Sequence, residues 1–184
     1  MEINIREIKA LSALASTDQT RSHLNGVFVQ SADGRITYTA TDNEVAGQFK
    51  RSNSPSDQCS ILIPIKVLKG IKLSKSDSGI ASLVCVADGL WRIVSDKLEI
   101  EFYPPVNIFP LDQLTGLLWS KAKANNCTAN FSFQNLVKFL TMGKALLLKY
   151  PGDFNIDYNG HQTTLINRFD LPGFSGLIMP KTIS

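Results

Sequence analysis

Cysteine and histidine are both scarce in this sequence, which has three cysteines and two histidines in 184 residues. Cys59, Cys85 and Cys127 are odd in number and form no C-x-x-C pair, which argues against a disulfide framework and against a zinc site. His23 and His161 have no convincing nucleophile or ligand nearby, and no phosphate-binding glycine loop or zinc-protease motif occurs. We therefore predict a protein of the reducing cytoplasm without catalytic activity, metal or cofactor.

Long apolar runs are missing as well. None approaches the roughly 20 residues that a membrane-spanning helix needs, and residues 1–7 lack the basic start and apolar block of a signal peptide. Hydrophobic residues make up 43% of the chain and charged residues 19%, a balance typical of a folded domain. The formal net charge of +3 is modest, so the positions of the charges matter more than their sum. A soluble globular protein is expected.

A helix followed by a tight β-hairpin recurs three times along the chain. Apolar residues at helical spacing predict helices over residues 3–15, 64–74 and 134–146. Dipeptides suited to the positive backbone dihedrals of a hairpin turn follow the helices, at Asp33-Gly34, Asp88-Gly89 and Asn159-Gly160. Because a helix packed on a small antiparallel sheet is half of a two-layer domain, the pattern predicts an α+β fold built from three half-domains.

The third half-domain has no counterpart in the sequence. An open sheet edge invites pairing with another chain, so we expect self-association.

In the first helix the sequence predicts one buried stripe and one exposed side. The buried stripe contains Ile5, Ile8, Leu11, Leu14 and Ala15. The exposed side contains Arg6, Lys9, Ala10 and Ala13.

The predicted helices carry basic residues opposite their apolar stripes. The second helix has Lys66, Lys69 and Lys72 on its outer side and no acidic residue between positions 64 and 75, and the third helix has Lys138. Exposed lysines are common on any surface, but the same arrangement on three helices favours attraction to phosphate groups. No recognition-helix or base-stacking motif accompanies it, so the contact is expected to be independent of nucleotide sequence.

Three stretches of the sequence carry motifs of one known family. They are the run from Ala15 to Val27 with the following Ala40-Thr41-Asp42, the pair Phe109-Pro110, and the run from Gly176 to Pro180. Together they resemble the bacterial DNA polymerase III beta subunit, the beta sliding clamp. The resemblance implies a shortened DNA-clamp-like fold. Residues 1–115 would form a complete clamp-like domain, residues 116–127 a linker, and residues 128–184 a half-domain similar to the C-terminal end of the clamp.

The resemblance also implies a function as a processivity factor on DNA. Helices would line the inner surface of a ring around double-stranded DNA, with a continuous sheet outside. The residues that would face the DNA are Arg6, Lys9, Arg21, Lys66, Lys69, Lys72, Lys138 and Lys144. The chain would form a homo-oligomer, and a ring of roughly a dozen helices at three helices per chain would need about four chains.

The family docks its partners, DNA polymerases and other replication or repair proteins, in a pocket that accepts short apolar peptide motifs. By position, the pocket of this chain would contain Leu24, Thr41, Asn43, Glu44, Val45, Ala46, Pro110, Leu114, Leu177 and Met179. Where the family pattern has G-H-R-L, this chain has Asn43-Glu44-Val45-Ala46, so a basic rim is replaced by an acidic or neutral one. The resemblance therefore implies an altered partner specificity.

Two other interpretations stay open at the level of the sequence. The first is a clamp-like interaction module or regulator of the replication machinery that does not encircle DNA, which the missing half-domain and the changed segment around Glu44 favour. The second is a small hydrolase that uses His161. Charge reversal of the helix lysines separates the first interpretation from a DNA tether, because it should spare partner binding and abolish DNA association.

Overall fold

The structure is a computed structural model that describes residues 1–52, 58–87, 89–106, 109–111, 114, 130–157, 162–168 and 170–181. The predicted linker over residues 116–127 and the predicted turn at Asn159-Gly160 lie outside the described residues. Within the described ranges, no helix is long and apolar enough to cross a membrane.

The described residues form three α-helices and eleven β-strands. The helices are α1 (Ile5–Leu11), α2 (Ile65–Gly70) and α3 (Phe133–Ala145). The strands are β1 (Glu2–Asn4), β2 (Gly26–Ala32), β3 (Arg35–Thr41), β4 (Val45–Ser52), β5 (Cys59–Pro64), β6 (Ile80–Ala87), β7 (Leu90–Ser95), β8 (Leu98–Phe102), β9 (Asn155–Asp157), β10 (Thr164–Asn167) and β11 (Phe174–Ile178). Two 3-10 helices, Ser12–Leu14 and Gln19–Leu24, connect α1 to β2.

The strands form two antiparallel sheets, with the orders β1-β6-β7-β8 and β5-β2-β3-β4-β11-β10-β9. Three units follow from this order: the first is β1, α1 and β2 to β4, the second is β5, α2 and β6 to β8, and the third is α3 and β9 to β11. The first two units exchange their leading strands, because β1 pairs with β6 and β5 pairs with β2. This mixture of helices and antiparallel sheets confirms the predicted fold class.

The third unit extends the larger sheet along one edge. Strand β11 pairs with β4 over five residues, from Phe174 opposite Phe49 to Ile178 opposite Val45. The Arg51 guanidinium strengthens this junction, because it pairs with Glu7 of α1 at 2.7 Å and also donates to a carbonyl oxygen just before β11. On this side, the unit left over in the sequence therefore pairs with its own chain.

Two glycines face each other across the same junction. Gly47 of β4 and Gly176 of β11 are directly paired. A Cβ atom on Gly47 would lie 2.4 Å from Leu14 Cδ1, and a Cβ atom on Gly176 would lie 2.8 Å from Phe139 Cε1. The missing side chains therefore leave room for Leu14 and Phe139 to lie close against the sheet.

The helix side of the sheets holds the main hydrophobic core. The predicted stripe of the first helix is fully buried there, including Ile5, Ile8, Leu11 and Leu14. Ala10, which the sequence places on the exposed side, is fully buried as well. The reason is that α3 packs against α1, a contact that the pattern of a single helix does not contain.

The structure confirms one local prediction and corrects another. The hairpin between β2 and β3 forms because Asp33 (φ 52°) and Gly34 (φ 71°) both adopt the left-handed backbone that a two-residue turn needs. The second helix is shorter than predicted, since α2 ends at Gly70 and Ile71 is extended and fully buried. Lys72 therefore lies beyond the helix instead of on its outer side.

Candidate nucleic-acid interface and partner surface

The three helices border one groove of about 710 Å³ on the helix side of the sheets. Lys9 of α1, Lys69 of α2 and Lys138 of α3 all line it. Asp42 and Glu44, from the turn between β3 and β4, line the same groove. Basic side chains from all three units therefore converge on one side of the molecule, where they are mixed with carboxylates.

The two basic residues of α1 bind the second unit internally. Arg6 donates through Nη2 to the carbonyl oxygens of Ser74 (2.9 Å) and Asp77 (2.8 Å). The Lys9 ammonium group donates to the carbonyl oxygen of Ile71, and partial burial lowers the pKa of Lys9. Both side chains thereby hold the segment after α2 against α1, which leaves them less available to a phosphate group.

Lys138 is engaged at the junction between α3 and the β3–β4 turn. It forms an ion pair with Asp42, while the side-chain amide of Asn135 donates to Glu44 Oε2 at 2.9 Å. The backbone N–H of Met179 donates to the carbonyl oxygen of Glu44 at 2.8 Å. The segment around Glu44, where the sequence departs from the family pattern, therefore contacts the third unit on the helix side.

Arg21 lies apart from these contacts, in the 3-10 helix before β2. Its Nε atom is 3.6 Å from Asp18 Oδ2, and the two side chains are 48% and 47% exposed. An exposed ion pair of this kind contributes little to stability. A hydrogen bond from the Thr20 hydroxyl lowers the pKa of Asp18, so the carboxylate stays charged beside Arg21.

Five lysines remain exposed on α2, in the segment just after α2, and on α3. Lys66 and Lys69 lie on α2, Lys72 and Lys75 follow it, and Lys144 lies near the end of α3. In the part of the chain that the structure describes, none of the five has a carboxylate oxygen within 4.0 Å. Lys75 is missing from the sequence-based set because it lies past the end of the predicted helix. We call these five residues the available lysines.

A second hydrophobic cluster covers the opposite face of the seven-stranded sheet. Phe28 of β2 stacks on Phe109 with the ring centroids 4.9 Å apart and the planes 2° from parallel. Leu24, Ala46, Leu114 and Leu177, four residues of the predicted pocket, are buried in this cluster beside Leu62 and Phe109. We call these six residues and Phe28 the outer cluster. Four of the ten predicted pocket residues thus lie together, on the face away from the helices.

The predicted pocket residues in and beside the β3–β4 turn make other contacts. Val45 packs in the helix-side core, and Glu44 binds Asn135 of α3, so neither faces the outer cluster. Thr41 donates through Oγ1 to the carbonyl oxygen of Val45 at 2.7 Å, and Asn43 has a φ of 81°. Both residues shape the tight turn between β3 and β4.

The outer cluster has exposed surroundings that a partner could contact. Pro110, the neighbour of Phe109, is half-buried, and Met179, on the same sheet face as Leu177, is 40% exposed. A groove of about 480 Å³ begins at Leu111 and runs over the ends of β2, β3 and β4. Arg35, Lys50 and Asp33 line this groove, so its walls are polar, with two basic side chains and one acidic side chain.

The described residues contain no group of three or more His, Cys, Asp or Glu side chains that could hold a metal ion. His161, on which the hydrolase interpretation depends, lies outside them, as does Cys127. Cys59 and Cys85 form no disulfide with each other.

Solved structures match the whole chain. The sliding clamp of Bacillus subtilis has a TM-score of 0.70 at 12% identity, and the DNA polymerase III beta chain of Streptococcus pneumoniae has a TM-score of 0.70 at 15% identity. The beta subunit of Thermotoga maritima has a TM-score of 0.69 at 11% identity. Each of the three comparisons covers 100% of this chain. The chain has the sliding-clamp fold.

The likeness to sliding clamps is one of fold. The chain spans 64 or 65% of the length of these three clamps, which is just under two thirds. No protein-family model matches the sequence, and no curated protein matches it. In this sliding-clamp fold, Lys69 of the available lysines lines the helix-side groove, and the outer cluster covers the opposite face of the seven-stranded sheet.

Proposed function

We propose that this chain is a sliding-clamp-like tether, which binds duplex DNA without sequence specificity along its helix side and docks a replication or repair protein on its sheet side. The observation that carries the proposal is the shared groove bordered by α1, α2 and α3, together with five lysines that the structure leaves exposed. A tether of this kind is a cytoplasmic binding protein and carries out no chemistry of its own.

Electrostatics supports DNA on the helix side. Lysine ammonium groups attract phosphates regardless of base sequence, and each contact releases counterions. If the protein encircles the duplex, closure prevents escape and the contacts need only be weak. The available lysines fit this role, whereas Arg6, Lys9 and Lys138 chiefly hold the three units together.

The outer cluster is the proposed docking surface for a partner. A short apolar peptide would pack beside the apolar residues of this cluster and contact the exposed side chain of Met179. The adjoining groove offers Arg35 and Lys50 to acidic groups of the same peptide. The segment from Asn43 to Val45 serves mainly the β3–β4 turn and the junction with α3, so the partner motif is expected to differ from that of ordinary clamps.

The DNA contact is tested by charge reversal with a matched control. Lys66→Glu with Lys69→Glu should weaken binding to duplex DNA and lower the slope of log Kd against log salt by about one per lysine. Arg35→Glu with Lys50→Glu makes the same change in net charge on the sheet side and should leave the slope unchanged. Equal losses in both double variants would contradict the proposal.

A second candidate is an interaction module that does not encircle DNA. The specific observation in its favour is that Asp18, Asp42 and Glu44 line the helix-side groove and that Lys138 is already paired. Retention on DNA after a salt challenge separates the two candidates. A tether stays on a circular plasmid and leaves it once the plasmid is cut, whereas a module that does not encircle DNA leaves both forms equally.

A further inference from the structure

The segment that follows α2 has exposed lysine side chains on a backbone that other parts of the chain hold in place. We call residues 71–79 the basic loop, because they include Lys72 and Lys75, two of the available lysines. Several carbonyl oxygens of this loop accept hydrogen bonds from the first unit. They are those of Ile71, Ser74, Asp77 and Gly79.

Arg6 of α1 bridges the middle of the basic loop. One nitrogen of its guanidinium, Nη2, donates to the carbonyl oxygen of Ser74 at 2.9 Å and to that of Asp77 at 2.8 Å. The two acceptors lie on either side of Lys75 in the chain. A guanidinium is planar and its donors have fixed directions, so it orients its acceptors more strictly than an ammonium group does. Arg6 therefore fixes the backbone from which the Lys75 side chain extends.

The two ends of the basic loop are held in the same way. The Lys9 ammonium group donates to the carbonyl oxygen of Ile71, the residue before Lys72, and the Ile71 side chain is fully buried. At the other end, the backbone N–H of Ile5 donates to the carbonyl oxygen of Gly79 at 2.7 Å. Hydrogen bonds from cationic donors are stronger than those between neutral groups. The first unit thus holds the loop along its whole length.

The carboxylate of Asp77 fixes the basic loop from a third direction. Asp77 Oδ2 accepts a hydrogen bond from the backbone N–H of Ser74 at 2.6 Å. Asp77 Oδ1 pairs with Lys97, in the turn between β7 and β8, at 2.7 Å. The acidic group of the loop is thereby bound to a lysine outside it, which leaves Lys72 and Lys75 to a phosphate group.

We infer that Arg6 and Lys9 are positioning residues for DNA binding, which hold the basic loop so that its two lysines meet the phosphate groups of the duplex. This inference rests on the proposed function and specifies which basic residues contact the DNA and which act through others. Arg6 and Lys9 are half-buried, whereas Lys72 and Lys75 are exposed. Lys9 also lines the helix-side groove, so the loop begins at the border of that groove.

Anchoring of the loop affects affinity through conformational entropy. A loop that is already fixed loses less freedom when it binds than a loose loop does, so anchoring strengthens binding without adding a contact. The role of Arg6 and Lys9 therefore differs from the direct DNA contact that the sequence predicts for them.

A double-mutant cycle on the affinity for a short fluorescent DNA duplex tests this role. Arg6→Met removes both hydrogen bonds and keeps an unbranched side chain, and it should weaken binding about 3- to 10-fold. Lys72→Gln with Lys75→Gln gives a protein with a neutralised loop. In that background Arg6→Met should change Kd by less than about 2-fold, because the lysines through which Arg6 acts are gone.

Lys69→Gln is the matched control, since Lys69 lies on α2 outside the basic loop and lines the helix-side groove. A side chain that contacts DNA itself loses its own contribution in either background, so Lys69→Gln should weaken binding by the same factor in both. Hydrogen exchange without DNA gives a second readout. Arg6→Met should accelerate exchange in residues 72–78, while retained protection of β2 and β3 shows that the variant is folded.

Equal weakening by Arg6→Met in both backgrounds would show that Arg6 contacts DNA itself and would overturn the inference. An Arg6→Met variant with unchanged affinity, or with unchanged exchange in the basic loop, would overturn it as well. In each of these cases the unmodified protein still binds DNA, so the proposed function stands. Absence of DNA binding by the unmodified protein would instead refute the proposed function, and the role of the loop with it.

Discussion

The first two units and the third share one architecture and differ in what covers their helices. α1 and α2 lie in a domain closed by exchanged strands, whereas the third unit joins that domain through the β4–β11 pairing and the packing of α3 on α1, and it leaves Phe133 and Val137 exposed. The difference shows that a half-domain of this fold does not bury its own apolar surface.

The same comparison applies to charge. In the first unit, Arg6 and Lys9 point inward and hold the segment after α2, whereas Lys66 and Lys69 of the second unit are exposed. In the third unit Lys138 is paired and Lys144 is exposed. The number of basic residues on a helix therefore does not measure the charge available to a polyanion, because long-range contacts decide it.

The difference between the third unit and the first two is tested most strongly by destabilising the third unit alone. Phe139→Ala removes a buried ring that packs against Phe154 at 5.8 Å, and it should lower the free energy of unfolding by about 3–5 kcal/mol. Since the third unit is held along one edge, hydrogen exchange should accelerate in β10 and β11 while β6 and β7 keep their protection. Equal acceleration in all four strands would show that the chain unfolds as a single unit.

A smaller effect is expected at the glycine pair of the junction. A Cβ atom on Gly176 would lie 2.8 Å from Phe139 Cε1 and 3.1 Å from Phe174 Cζ, so Gly176→Ala should cost about 1–3 kcal/mol of stability. Gly70 has no atom within 4 Å of the corresponding position, so Gly70→Ala should be neutral or stabilise by about 0.4–1 kcal/mol. Chemical denaturation of both variants measures the two changes, and a neutral Gly176→Ala would contradict the close packing at the junction.

Local features of the fold could be predicted from the sequence. The helix α3 differs from the predicted helix by one residue at each end. The reason is that short-range chemistry specifies them: the Asp33-Gly34 turn sets the first hairpin, and apolar spacing sets the helices. The clamp-like motifs also identified the fold correctly, although identity to the matched clamps is 11–15%.

Features that depend on distant parts of the chain could not be predicted. β4 contains Gly47 and the buried polar Gln48, so its sequence lacks the alternation typical of a strand, and its pairing with β11 joins residues far apart. The hydrogen bonds from Arg6 and Lys9 likewise join residues more than sixty positions apart. The role of Phe109 as a cover for Phe28 was missed for the same reason.

The smallest predicted effect concerns the segment that α1 holds in place. A hydrogen bond from Lys97 lowers the pKa of Asp77 from 3.8 to about 2. The contribution of this carboxylate to stability is therefore present above about pH 4 and is lost as the pH falls toward 2. The difference in Tm between the unmodified protein and Asp77→Asn should be largest near neutral pH and shrink at about pH 2. A difference independent of pH would contradict the ion pair.

The central claim is that duplex DNA lies on the helix side of this fold. Its most direct test is photocrosslinking to a DNA duplex from a photoreactive amino acid at position 69, compared with one at position 50 on the sheet side. We expect crosslinks from position 69 that disappear at high salt, and none from position 50. Crosslinks from position 50 without any from position 69 would contradict the account.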